Sequence, residues 1–386
     1  MSQNGKHCLV FGASGISGWA LLNASVNYPS PTTFHRITGL CNRPLTKEAA
    51  YLPADPRINL VSGIDLTGSV ESVVKALKEK VEQVETVSIV YFCAYIQTGD
   101  FQSLRKVNTE LIRVAITAIN EVAPNLETVI LQTGGKSYGV EFPDKVTISA
   151  PLKEDAPRIP EPWASNIFYY SQHDVLKELS QGKKWTFSEI RPDAIVGFVP
   201  GRNVMNVVQG VAFYLTLQRE VNGPGATVPF PGTEKSYRAT HTDTFQDILA
   251  KMEIYVSLNR DKCPNASIFN ITDGEVVTWA DVWPGLCSYF GLKGSGPTEN
   301  TTPVEEFVEK NKSAWQNLVQ KHGLKTGYLE ITNWKFVAFL IEAGDFNREY
   351  SIDKARSIGF EESIPTVKGY TTSFDRMRAA KILPPI

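Results

Sequence analysis

The amino-acid sequence predicts an α/β fold, a doubly wound parallel sheet with helices on both faces. Three observations predict it. Short continuous apolar runs alternate with amphipathic helical stretches through the first 130 residues. A glycine-spaced turn follows the first of those runs at once. Further apolar runs recur deep in the second half, so strands from both halves complete one sheet.

The elements justify themselves in order. His7–Phe11 (HCLVF) is a continuous apolar run, as expected of a strand buried on both faces, and a helix over 16–26 follows it. Strands are predicted at 36–41, 58–62, 86–93, 128–132, 186–191 and 267–271, with helices over 70–84 and 107–123 between them. Beyond residue 197 loops and helices mix, and 277–293 and 303–323 read as helical and rich in aromatics. The division expected is a dinucleotide-binding part over 1–196, completed by the strand near 267–271, and a mainly helical substrate-binding and lid part over 197–386 interleaved with it. There is no internal repeat.

Composition excludes several function classes. The chain has 386 residues, 42% hydrophobic and 21% charged, with a net charge of −2. That is enough chain to bury a large core without cross-links, and the charge gives no electrostatic case for nucleic acid. Five scattered cysteines with no CxxC spacing argue against a disulfide framework or a zinc site, so no metal is expected. The start of the chain leads from a short polar stretch straight into a strand, and no apolar run reaches 18 residues. A cytoplasmic protein acting on a small molecule, without nucleic-acid or membrane partners, is the expectation.

The turn is Gly12-Ala13-Ser14-Gly15-Ile16-Ser17-Gly18, a GxxGxxG spacing between strand and helix. Glycines there permit the tight turn, the approach of backbone to a pyrophosphate, and close helix–sheet packing. The helix start then offers free N–H groups to phosphate. Gly12, Ser14, Gly15, Ile16 and Gly18 are therefore expected to hold a dinucleotide on a Rossmann-like sheet. The second strand ends in Cys41-Asn42-Arg43-Pro44 rather than in a carboxylate that would bind the ribose hydroxyls of NAD. Arg43 and Asn42 suit a 2′-phosphate, so NADP(H) is the expected cofactor. Asp65, after the third strand, is placed to meet the adenine; otherwise it is a helix cap.

Reduction of a carbonyl conjugate needs a proton donor beside the dinucleotide, commonly a tyrosine with a lysine four residues on. The literal match, Tyr350…Lys354, lies near the C-terminus and is read as a decoy. The helix between the fifth and sixth strands carries Phe168-Tyr169-Tyr170, and four residues after Tyr169 stands His173, read here as a surface histidine. A replacement cation, Lys136, follows the fifth strand in Thr133-Gly134-Gly135-Lys136. Strand ends of that kind face the ligand in open α/β sheets.

These residues carry a resemblance. LQTGGKSYG (131–139) and NIFYYSQHD (166–174) are similar to the two signature motifs of the progesterone 5β-reductase / iridoid synthase family, atypical short-chain dehydrogenases that reduce enones with NADPH. GASGISG, EDAPR, IRPDAIVGFVP, PFPG and SIDKARSIGF have counterparts in the same order, so the resemblance runs along the whole chain and implies an extended short-chain dehydrogenase fold. It implies Tyr169 and Lys136 as the catalytic pair, with the lysine favouring tyrosinate character. It also implies Thr133 and Ile195 beside the cofactor, the latter holding the nicotinamide carboxamide through backbone. Asn203, Met205 and Asn206 sit where the family lines its substrate pocket; Phe142 and Phe336 would suit a large apolar substrate, and Tyr95 lies in the pocket-lining stretch after the fourth strand. The chain departs from the family at Asn42, Ser137 and His173, and lacks the pocket tryptophan of plant members near 92–97.

The function expected is 1,4-reduction of an α,β-unsaturated carbonyl on a small-to-medium apolar or specialised metabolite. The alternatives are 1,2-carbonyl reduction or alcohol oxidation, a cofactor-assisted cyclase, and a non-catalytic NADP-binding protein. Apolar residues in 107–123 and 167–180 either pair helices across a homodimer or bury against the sheet.

Overall fold

The computed structural model of the protein describes residues 5–201, 203, 205–299 and 301–386. Its centre is a seven-stranded sheet of β1 (Lys6–Phe11), β2 (Phe34–Cys41), β3 (Ile58–Ser62), β4 (Val87–Phe92), β5 (Thr128–Gln132), β6 (Thr186–Pro192) and β10 (Ser267–Ile271). The order is β3-β2-β1-β4-β5-β6-β10, and every neighbouring pair is parallel. Chain direction around the sheet reverses between β1 and β4. That switch point opens a crevice outside the strand C-termini, where ligands of such sheets bind. Two short parallel pairs lie apart from the main sheet: β7 (Ala194–Val196) with β9 (Asp243–Phe245), and β8 (Thr227–Pro229) with β11 (Lys293–Ser295).

Helices α1 (Ile16–Ala24), α2 (Lys47–Ala50), α3 (Val70–Lys80), α4 (Phe101–Val122) and α5 (Phe168–Leu179) fill the first half. The second holds α6 (Val207–Asn222), α7 (Glu234–Arg238), α8 (Gln246–Leu258), α9 (Trp279–Tyr289), α10 (Val304–Lys310), α11 (Lys312–His322), α12 (Trp334–Ile341), α13 (Asp353–Ser357) and α14 (Thr366–Ala379). One face of the sheet is covered by α3, α4 and α5 through Val73, Leu77, Ile112, Ile116 and Leu176. The other is covered by α1 and by α8 from the second half, through Leu21, Leu22, Leu249 and Met252.

Three elements differ from expectation for local reasons. The helix placed over 107–123 begins at Phe101, because Asp100 caps it by accepting the Ser103 amide at 2.8 Å. The single helix over 303–323 is two, parted at Asn311. The mixed region over 197–265 holds the long helix α6, buried along most of its length by packing that no periodicity announces.

A buried ion cluster ties the C-terminal segment to the end of β6. The Arg348 guanidinium meets Asp193 at 2.5 Å, and Thr242 donates to the same carboxylate at 2.9 Å. Asp243, beside them, accepts from the Tyr370 hydroxyl at 3.1 Å, and burial pushes its carboxyl up to about 7. This fixes the backbone from which Ala194–Val196 departs, over the strand ends.

Candidate active site

The glycine turn is shaped by what it must approach. Gly12 has φ +86°, and a side chain there would put its first carbon 2.8 Å from the Cys93 carbonyl. A Cβ on Gly18 would collide with the Gly12 carbonyl, so α1 lies directly against the turn. No side chain caps α1, and its first turn holds no acidic residue. The free amides at Ile16 and beyond, with the positive end of the helix dipole, fit the pyrophosphate of a dinucleotide. Ser14 is exposed on this turn and Ile16 is buried beneath it.

Asn42 and Arg43 stand exposed at the end of β2, on the rim where an adenosine ribose would lie. Asp65 is exposed, and its carboxylate accepts from the Thr67 amide at 3.0 Å and hydroxyl at 2.7 Å, which hold it below the usual carboxylate range. It shapes its own turn; Ser69 is what caps α3.

Tyr169 sits on the first turn of α5, 8% exposed. Its hydroxyl would lie 3.8 Å from a Cβ placed on Gly134, in the turn after β5. The neighbouring Tyr170 is spent on structure: its hydroxyl donates to the Ser137 carbonyl at 2.6 Å and accepts from the Ile159 amide at 3.1 Å, with Arg158 over the ring at 4.8 Å. Of the two tyrosines, Tyr169 is the one left to face a ligand. Burial, then the nearby Tyr95, Glu141 and Glu189, push its phenol well above the ordinary value. That direction runs against the tyrosinate character that the resemblance implies. Lys136, in the short 3-10 turn Gly135–Tyr138, has its ammonium in an ion pair with Glu141, and both are largely buried.

Sequence reasoning did not single out Glu141. The one available signal was an acid five residues after the lysine in an otherwise apolar stretch, Val140-Glu141-Phe142. Tyr350 is a second surprise. Remote in sequence from this turn, it brings its buried hydroxyl to 2.6 Å from where a Cβ on Gly135 would lie. Lys354 meanwhile turns away over the Phe269 ring at 5.1 Å, so the literal Tyr…Lys spacing is split in space.

His173, four residues after Tyr169, corrects the surface reading. Its Nδ1–H donates to Glu189 at 2.7 Å, and its ring meets the edge of Phe187 at 5.1 Å. Glu189, 1% exposed on β6, also accepts from the Thr133 hydroxyl at 2.7 Å and the Arg191 Nε–H at 2.7 Å. Burial alone would raise this carboxyl, but Arg191 and His173 outweigh it and bring it down to about 2. The hydroxyl of Thr133 is thus turned into this network, while its amide bonds the Ile190 carbonyl at 2.9 Å. Three elements, β5, α5 and β6, are joined under the first turn of α5. Ile195 lies half-buried on β7, paired with Thr244 of β9.

The pocket residues fall into two groups. Tyr95 stacks on Phe168 at 5.7 Å, and Phe168 lies against Tyr169 at 4.4 Å. Phe142 packs between Phe101 at 5.4 Å and Trp163 at 5.1 Å and shares an apolar cluster with Tyr169. Asn203, Met205 and Phe336 are not in that cluster. Asn203 accepts the Met205 amide at 2.9 Å, just before α6, and Phe336 packs half-buried from α12 against the larger core.

A sequence model of the PRISE-like Rossmann-fold domain matches residues 8–384. The chain is 39% identical to "Short chain dehydrogenase ausT" of Aspergillus calidoustus, over all of this chain and 96% of that protein. It is 25% identical to "(S)-8-oxocitronellyl enol synthase" of Catharanthus roseus, over 97% of this chain and 92% of that protein. Among solved structures it is similar in fold to a UDP-glucuronic acid 4-epimerase from Bacillus cereus in complex with NAD. That likeness has a TM-score of 0.60 and 16% identity, over 97% of this chain and 99% of the other.

Proposed function

The chain belongs to the PRISE-like Rossmann-fold family and is an oxidoreductase of the short-chain dehydrogenase type, and from that premise we propose that it reduces an α,β-unsaturated carbonyl compound with NADPH. The observation that supports the reading is the approach of the buried Tyr169 hydroxyl to the Gly134 turn, two residues before Lys136. A non-catalytic dinucleotide binder has no use for that pair. The relative named as an enol synthase supports 1,4-addition.

The dinucleotide, when bound, supplies the hydride. The protein's own part is to receive charge. As negative charge develops on the substrate oxygen, the Tyr169 hydroxyl donates a hydrogen bond to it, and the Lys136 ammonium, held by Glu141, is a further N–H donor nearby. Fixed donors of this kind contribute about 3 kcal/mol or more of transition-state stabilisation. A raised phenol suits a donor, which must stay protonated at neutral pH. Tyr95, Phe168 and Phe142 provide aromatic walls that exclude water and fit an apolar acceptor. Arg43 and Asn42 would hold a 2′-phosphate, which is the ground for NADPH over NADH. The surroundings implied are cytoplasmic; among the described residues no helix is long and apolar enough to cross a membrane.

The test is oxidation of NADPH and NADH against a panel of cyclic enones and enals, for the wild type, Tyr169→Phe and Arg43→Ala. Saturated carbonyl products are expected, with kcat reduced on the order of 10²-fold or more in Tyr169→Phe. Arg43→Ala should lose affinity for NADPH and leave NADH unchanged. Alcohol products would move the reading to 1,2-reduction; full turnover by Tyr169→Phe would overturn it.

A further inference from the structure

Charged side chains on the elements that carry Tyr169 and its neighbouring turn stand in pairs of opposite sign. Lys136, from the turn after β5, is paired with Glu141, from the loop that follows. Glu189, on β6, is paired with Arg191 on the same strand and with His173 on α5. Tyr95, Tyr170 and Tyr350 are phenols around this turn. Glu141 is held to the turn by its ion pair with Lys136, two residues from the Gly134 that the Tyr169 hydroxyl approaches, and the next residue, Phe142, shares an apolar cluster with Tyr169 and Tyr95. The walls there are aromatic.

We propose that Glu141 is a specificity-determining residue. By cancelling the charge of Lys136, it restricts the site to uncharged apolar carbonyl compounds and turns away acceptors carrying a carboxylate. This rests on the reading of Lys136 and Tyr169 as the site that receives a carbonyl oxygen. The physical argument is one of balance. A lone buried ammonium beside an apolar wall would be a strong carboxylate site. With Glu141 in contact, a substrate carboxylate loses its hydration and meets a pair whose net charge is zero, one member of which repels it. A neutral ketone gives up little hydration and still finds the Tyr169 hydroxyl.

The experiment compares binding without turnover. Two saturated ketones of the same skeleton, one bearing a methyl ester and the other the free carboxylate, are titrated calorimetrically into the NADPH-loaded protein. The proteins are the wild type, Glu141→Gln and Glu141→Asp. The wild type should bind the ester in preference. Glu141→Gln should tighten the carboxylate on the order of thirtyfold, the scale for one unit charge about 8 Å away at an effective dielectric of about 20, and leave the ester unchanged. Glu141→Asp should restore the wild-type preference. Should Glu141→Gln fold poorly, Lys136→Gln reports the same balance with opposite sign, widening the preference for the ester. An unchanged preference in Glu141→Gln, or equal loss of both ligands in a folded variant, overturns the role of Glu141 alone. Failure of the NADPH-loaded wild type to bind either ketone overturns the carbonyl-site reading beneath it.

Discussion

Glu189→Gln tests whether the frame under Tyr169 is held by a true buried carboxylate. The side chain is 1% exposed and accepts from Thr133, His173 and Arg191, each at 2.7 Å. Its carboxyl falls from 4.5 to about 2 on folding. At roughly 1.4 kcal/mol per pKa unit, that difference contributes on the order of 3 kcal/mol of stability at neutral pH. An independent route gives the same size, since leaving a buried Arg191 without its counter-charge costs about 3–5 kcal/mol. A folded-state carboxyl that is depressed stabilises above the unfolded value and loses that contribution as pH falls towards the folded one. The window therefore lies between pH 4.5 and 2. For a chain of this length the unfolding entropy converts the loss to a drop in Tm on the order of 4 °C at pH 7. Thermal melts of wild type and variant, followed by near-ultraviolet circular dichroism at pH 7 and again at pH 3, are the assay. The gap should shrink to about 1 kcal/mol at pH 3, because the wild type itself approaches protonation there. A variant as stable as wild type at pH 7, or a gap of equal size at both pH values, would refute the assignment of an ionised, triply bonded Glu189.

Two further outcomes follow from the same geometry. Gly18→Ala forces a carbon into the Gly12 carbonyl, so α1 must shift; dinucleotide affinity measured by fluorescence quenching should fall on the order of tenfold or more, with about 1–3 kcal/mol lost in stability. Tyr170→Phe leaves the Ser137 carbonyl without its donor and should lower stability in urea by about 1–3 kcal/mol, while the variant keeps a substantial fraction of wild-type turnover.

Much of this molecule is legible in the primary structure, because local physics dictates it. Short apolar runs between helical stretches suit the strands of a parallel sheet, and 58–62, 128–132 and 267–271 are strands with those bounds in the structure. The GxxGxxG spacing demands a tight turn against a helix start, and Gly18 meets that demand against the Gly12 carbonyl six residues back, while Gly12 itself lies against the distant Cys93 backbone. Tyr169 and Lys136 are proposed from position, since an open parallel sheet directs strand ends to one edge.

What only the tertiary structure decides is the charge state of the site, because charge pairing acts through space and leaves no period in the sequence. Nothing local says that Lys136 is held by Glu141, or that His173 is turned from solvent onto a carboxylate sixteen residues on, on β6. Nor does anything local say that Tyr350 returns from the C-terminal segment to press on Gly135. Burial decides the rest. A phenol on an amphipathic helix has an ordinary acidity until the sheet, the aromatic wall and two carboxylates close around it, and that enclosure pushes the Tyr169 phenol well above its ordinary value.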